Sequence, residues 1–163
     1  VTTDWDNFDG WATALESGDY KQGFKALARM RDDGSYEYCC LGVLCRWLKA
    51  TGALDIAVIE GAFGDVLFDG QESVLPETVT DFTGLYSNPV LEIPDDDWRN
   101  VLASVSSDQR RDELDDLRDK DSVHAGCQRS RPGTISLADL NDARVPFREI
   151  ARLIRKYLKK ESA

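Results

Sequence analysis

Basic charge is outnumbered in this chain. Its 163 residues include 20 Lys and Arg against 30 Asp and Glu, for a formal net charge of −10. A phosphate-binding surface needs clustered Lys and Arg, so general nucleic-acid binding is not expected. Long apolar runs are missing too. No stretch reaches the about 18 consecutive apolar residues that a bilayer span requires, so no membrane partner is expected. The opening VTTDWDNFDGW lacks the basic start and apolar centre of a signal peptide. The expectation is therefore a cytoplasmic protein with reduced cysteines. Histidine is nearly absent: His124 is the single one, which leaves a nucleophile little choice of base.

What is present suits one packed domain over residues 1–163. Apolar residues make up 42% of the chain, enough to bury a core without staples. Phe8, Trp11, Ala12 and Leu15 recur at helical spacing over Asp6 to Glu16. Asp19 to Met30 fits a strand or a helix, and Asp32-Asp33-Gly34-Ser35 is turn chemistry. A short hairpin with Tyr36 to Tyr38 as return strand is the preferred reading. Cys39 to Ala50 reads as a helix ended by Gly52. Short strands or a hairpin are expected within Ala57 to Ser73. Leu75-Pro76 opens a helix running to Phe82, before Gly84. Val90 to Ile93 reads as a strand, Asp95 to Val105 and Asp108 to Lys120 as helices, and His124 to Gly133 as a loop. The helix Asp108 to Lys120 reads as solvated, with only Leu114 and Leu117 as apolar contacts. Ser136 caps a short helix through Asn141, with Asp139 as capping-box partner. Pro146 opens the last helix, whose stripe is Phe147, Ile150, Ala151, Ile154, Tyr157 and Leu158, with Lys159-Lys160 complementing its C-terminal end. Segregated helices and short antiparallel strands around a central buried helix define an α+β fold.

The stretch YEYCCLGVLCRWL, Tyr36 to Leu48, gathers Cys39, Cys40 and Cys45. Their spacing matches no zinc pattern, and Cys39 and Cys45 project to separate sides of a helix, so no metal is expected. Adjacent Cys39 and Cys40 would form a strained disulfide. Cys39 at a helix N-terminus could have its thiolate favoured, as a cysteine hydrolase requires, but nothing aims His124 at it. Cys127 lies far along the chain. Packing is the favoured role, with Leu41, Leu44, Cys45 and Leu48 on one face and Cys40, Val43 and Trp47 widening it. Gly42 is the more suggestive residue. It costs helix stability, about 1 kcal/mol relative to Ala, which implies close approach of another backbone or a ligand.

Several blocks together resemble a family of small, mostly uncharacterised proteins common in phages and prophages. They are LESGDYKQ (Leu15 to Gln22), YCCLGVLC (Tyr38 to Cys45), LP-x2-V (Leu75 to Val79), GLYSNP (Gly84 to Pro89) and LNDARVPFREIARLI (Leu140 to Ile154), which contains LND-x4-F-x2-IA-x2-I. They follow the family's order and span most of the chain. Residues 95–131 look like a charged insertion, and Pro146 replaces the usual polar residue. The resemblance implies a phage-type accessory protein in the host cytoplasm, a factor of host defence or takeover, and supplies no activity or cofactor.

Tyr20, Lys21, Gln22, Asn141 and Asp142 could converge around Gly42 as a small polar pocket. The residues themselves favour a plainer role, with Tyr20 and Gln22 satisfying backbone groups and Asn141-Asp142 forming a turn and cap. Lys21 would be the residue hardest to explain structurally if buried. Three functions follow. One is a non-enzymatic binding protein capturing a small polar or nucleotide-like ligand. Another is an inhibitor meeting a basic host protein through Asp95-Asp96-Asp97 and Asp112 to Asp119. The third is a hydrolase using Cys39.

Overall fold

A computed structural model describes residues 5–119 and 133–158. The elements run α1 (Trp5–Glu16), β1 (Lys21–Gln22), β2 (Ala28–Met30), β3 (Tyr36–Tyr38), α2 (Cys40–Ala50), β4 (Val58–Glu60), β5 (Asp65–Phe68), α3 (Glu77–Thr83), β6 (Val90–Glu92), α4 (Asp95–Ser104), α5 (Asp108–Asp119), β7 (Thr134–Ser136), α6 (Leu137–Asp142) and α7 (Phe147–Tyr157). The architecture is α+β. The expected loop residues His124 to Pro132, with Cys127, and the expected helix-end lysines Lys159 and Lys160 lie outside the described residues.

Strand order in the main sheet is β1-β3-β2-β5-β4, and β6 pairs with β7 in a second, two-stranded ribbon. The β2–β3 hairpin turns at the Asp-Gly segment, so Lys25 to Met30 is not a helix. Lys25 instead adopts φ 67, which ends any helical run before β2. Not every pairing is antiparallel: β1 lies parallel to β3, with Lys21 opposite Glu37 and Gln22 opposite Tyr38. The alternation of a strand sorts the sheet's two faces. Gln22, Tyr36, Tyr38, Ala28, Val66, Phe68 and Val58 share the inner one, and Lys21, Glu37, Arg29, Asp65 and Ile59 share the outer one.

α2 is the buried centre. Cys40, Leu41, Val43, Leu44, Cys45 and Leu48 have no exposure, which is what a helix apolar around most of its circumference requires. α1 packs along α7 and α2, and Trp11 Nε1 donates to Cys40 O at 2.9 Å. Gly10 lets Trp47 lie against α1, since a Cβ there would fall 2.4 Å from Trp47 Cζ2. Pro76 and Pro146 stand at the N-caps of α3 and α7 with extended ψ of 154° and 147°, one residue before the first helical position. Gly84 closes α3 in the left-handed region, at φ 74. Ser136 caps α6 by accepting from Asp139 N at 3.0 Å. The buried face of α7 includes Leu153 as well as Phe147, Ile150, Ala151 and Ile154, while Tyr157 is half-buried.

α4 and α5 bring Trp98, Val101 and Leu114 into the same core. α5 is not wholly solvated: Arg118 is buried, lies 5.0 Å over the Trp98 ring and donates to Asp95 Oδ1 at 2.6 Å. Asp97 ties α4 to α7. Its carboxylate accepts from Arg152 Nη1 and Nη2 at 3.0 and 2.8 Å, from Lys156 Nζ at 3.1 Å, from Asn100 Nδ2 at 3.1 Å and from the Tyr157 hydroxyl. Chiefly through Arg152, these bonds hold the Asp97 carboxyl well below the usual carboxylate range. The sign of the consequence is definite. An unfolded Asp titrates near pH 3.9, so the stabilisation is complete above about pH 4 and is lost as pH falls further. Asp97→Asn is expected to lower stability at pH 7 by about 2 kcal/mol, since the wetted Arg152 and Lys156 limit the loss. Urea titrations at pH 7, 4 and 3 check this: the gap between the two proteins should narrow at the lowest pH.

Candidate functional site

The polar cluster expected around Gly42 exists, but it is a structural knot. Asn141 is fully buried. Its Oδ1 accepts from Cys40 N at 3.1 Å and Gln22 Nε2 at 3.2 Å, and its Nδ2 donates to Gly23 O at 2.8 Å. Gln22 Nε2 also donates to Val145 O at 2.9 Å. Asp142 Oδ1 accepts from Lys25 N at 2.8 Å, while burial raises its pKa. Gln22, Asn141 and Asp142 thus satisfy backbone groups at the α2 N-terminus and the β1 loop, as side-chain amides and carboxylates do at turns. Gly42 is buried against the backbone of Leu27. An added Cβ would stand 1.7 Å from Leu27 O, so the close approach is by backbone. Lys21 is on the outer face, 60% exposed and 3.7 Å from Glu37. Strand alternation sends it away from Gln22 and Asn141, and the shared pocket with Lys21 is therefore corrected.

Cys39, Cys40 and Cys45 are free and buried. Cys39 is the α2 N-cap, and its Sγ accepts weakly from Gly42 N at 3.4 Å. Burial pushes its thiol up to about 12, outweighing the helix amides. A thiol held protonated in this way is a poor nucleophile at neutral pH: the helix amides favour the Cys39 thiolate, as the hydrolase alternative requires, but burial outweighs them. Burial raises Cys40 and Cys45 as well. The acidic docking surface is likewise reduced, because Asp97 is buried, Asp95 is bonded to Arg118, and Asp115 accepts from Trp98 Nε1 at 2.6 Å.

A different site lies where the inner face of the sheet runs out from under α2. A pocket of about 170 Å³ is lined by Tyr36, Tyr38, Arg46, Val58, Glu60, Val66 and Phe68. Val66 and Phe68 are its buried apolar floor. The alternation in Tyr36-Glu37-Tyr38 sends both phenols to this side, with ring centroids 6.3 Å apart. Tyr20 packs edge-on against Tyr38, with centroids at 5.4 Å and planes at 82°. Of the residues expected to bind a ligand, Tyr20 is the one beside this pocket. The Tyr36 hydroxyl donates to Glu60 Oε1 on β4, and that bond is the main cause of its raised pKa. Burial raises Tyr38 and Tyr20, with Arg46 opposing it. The three phenols remain protonated donors at neutral pH. Arg46, on the exposed side of α2, forms no ion pair among the described residues.

Arg46, Tyr36, Tyr38 and Glu60 were missed as site residues, although three of them stand in or beside YEYCCLGVLCRWL. One signal was available: Arg46 is the single charge between Cys39 and Leu48. A helix that spends one position of an apolar run on arginine presents it at a surface. Glu60 carried no such mark, because only the order of strands across the sheet brings it to the pocket face with the tyrosines. Among the described residues no group of His, Cys, Asp and Glu could hold a metal ion, and no helix is long and apolar enough to cross a membrane. A family model described as a domain of unknown function (DUF8296) matches residues 8–158. No curated protein and no solved structure matches the chain.

Proposed function

The chain belongs to the DUF8296 family, whose description leaves function to be read from the residues, and we propose that it is a non-enzymatic protein that captures a small, planar, anionic ligand of nucleotide-like chemistry. The carrying observation is the Arg46 guanidinium, free of ion pairs among the described residues, at the rim of a pocket walled by tyrosines. A guanidinium and aromatic faces together suit an anionic group joined to a planar ring. Glu60 can accept from ring N–H groups, and the Tyr38 phenol can donate to a ring oxygen, while the Tyr36 hydroxyl is engaged with Glu60. The volume of about 170 Å³ admits one ring, so the remainder of a nucleotide would lie along the open rim under Arg46. Cys39, the nucleophile the sequence offered, is buried and is not among the residues that line this pocket, so the reading here is capture. In a phage-type accessory protein such capture would sequester a host metabolite.

Calorimetry with nucleoside monophosphates, paired with amide shifts in NMR, tests the reading. Saturable binding should shift Tyr36, Tyr38 and Arg46. Arg46→Ala should weaken it by about tenfold to a hundredfold, the worth of a charged hydrogen bond. Lys21→Ala should leave it unchanged. Equal affinity in the wild type and Arg46→Ala would overturn the proposal.

A further inference from the structure

The β4–β5 hairpin has features that the pocket does not use. At its tip Phe63 is 98% exposed. Its backbone holds φ 64 and ψ 24, a left-handed conformation that bulky L residues avoid and that glycine adopts without strain. Ile59, on the outer face of β4, is 56% exposed. β4 is also an end strand of the sheet. Asp69 N donates to Ala57 O at 2.8 Å and Gly61 N to Asp65 O at 2.6 Å, so residues 57 and 61 bond towards β5. Antiparallel pairing alternates residue by residue. Ile59 therefore shares that direction, and the backbone N–H and C=O groups of Val58 and Glu60 point at the open edge. The opposite edge strand, β1, is only Lys21–Gln22 and carries a lysine, so it offers a basic strand little to pair with.

Charge defines what fits this edge. From Ala50 to Trp98 the chain has no Lys, Arg or His, against eleven Asp and Glu. Arg29 is paired with Asp65 and Arg46 lies on the pocket side of β4, so a second copy or an anionic lipid at this edge would still meet an excess of carboxylates and be repelled. We propose that the β4 edge, with Ile59 and Phe63, docks an extended basic segment of another protein. That segment would add as a strand beside β4, its backbone bonding to Val58 and Glu60, its apolar side chains meeting Ile59 and Phe63, and its cations facing the acidic surface.

The probe is a synthetic heptapeptide alternating lysine and valine, added to the full chain. Hydrogen exchange read by NMR should show new protection at the Val58 and Glu60 amides, and the affinity should fall with added salt. Phe63→Gly should weaken the peptide at least fivefold while the free protein melts no lower than wild type, because the strained backbone is relieved. Ile59→Ser should weaken it as well. The proposal is overturned if protection appears elsewhere, if both variants bind as wild type does, or if a peptide with glutamate for lysine binds equally. Protection of the same amides that grows with protein concentration alone would also overturn it, in favour of a second copy.

Discussion

Gly42→Ala is expected to abolish folding or to lower stability by at least about 3 kcal/mol, the upper range for overpacking a core. On helix propensity alone the change would stabilise by about 1 kcal/mol, so the sign of the result is decisive. The added methyl would lie 1.7 Å from Leu27 O and 2.5 Å from Leu27 C. Retreat of that backbone is blocked from two sides. Leu27 O accepts from Cys39 N at 3.1 Å, and Leu27 N donates to Glu72 O at 2.6 Å. Moving Leu27 would break the join between the sheet and the start of α2. Urea unfolding followed by circular dichroism measures the effect; stability equal to or above wild type would show that the packing described here is wrong.

Asn141→Ala should cost about 3 kcal/mol. The truncation leaves Cys40 N–H and Gly23 C=O buried without their partner, and each orphaned backbone group costs about 1–3 kcal/mol. Asn141→Asp sharpens the assignment. At pH 7 it keeps the acceptor for Cys40 N but places a charge in a fully buried site and removes the donor to Gly23 O, so its loss should be at least as large. Burial raises the pKa of such a carboxyl. The protonated acid can donate to Gly23 O, and the variant should regain stability as pH falls towards about 5. Denaturation midpoints at pH 7 and 5 measure it. A pH-independent Asn141→Asp, or an Asn141→Ala variant within about 1 kcal/mol of wild type, would show that the amide does not hold these elements together.

The knot around Asn141 and the pocket around Arg46 differ in how they arise from the chain. Local chemistry determined most of the elements. The apolar period of Cys40 to Leu48, the Asp-Gly turn before Tyr36, the helix end before Gly84 and the Ser136 cap each act within a few residues, and each appears where the sequence alone places it. The packing role of Cys39, Cys40 and Cys45 was legible too, because all three stand in the apolar run that becomes the buried helix. So was the close approach at Gly42, since a glycine inside an apolar helix implies something pressing on it.

What approached Gly42 was not legible, nor was the function of the polar residues. Gln22 and Asn141 are 119 residues apart, and the sequence cannot distinguish an amide that binds a ligand from one that satisfies Cys40 N and Gly23 O. That choice depends on which buried backbone groups lack partners, a property of the assembled fold. Lys21 and Gln22 are neighbours, yet the pleat sends them to opposite faces once β1 pairs in parallel with β3. Likewise the site itself required tertiary structure. Tyr36 and Tyr38 come from one strand, Arg46 from α2 and Glu60 from an edge strand across the sheet, and only the order β1-β3-β2-β5-β4 sets phenol, guanidinium and carboxylate around one pocket. Short-range sterics and periodicity decide elements; long-range pairing decides which side chains remain unsatisfied and therefore available to a ligand.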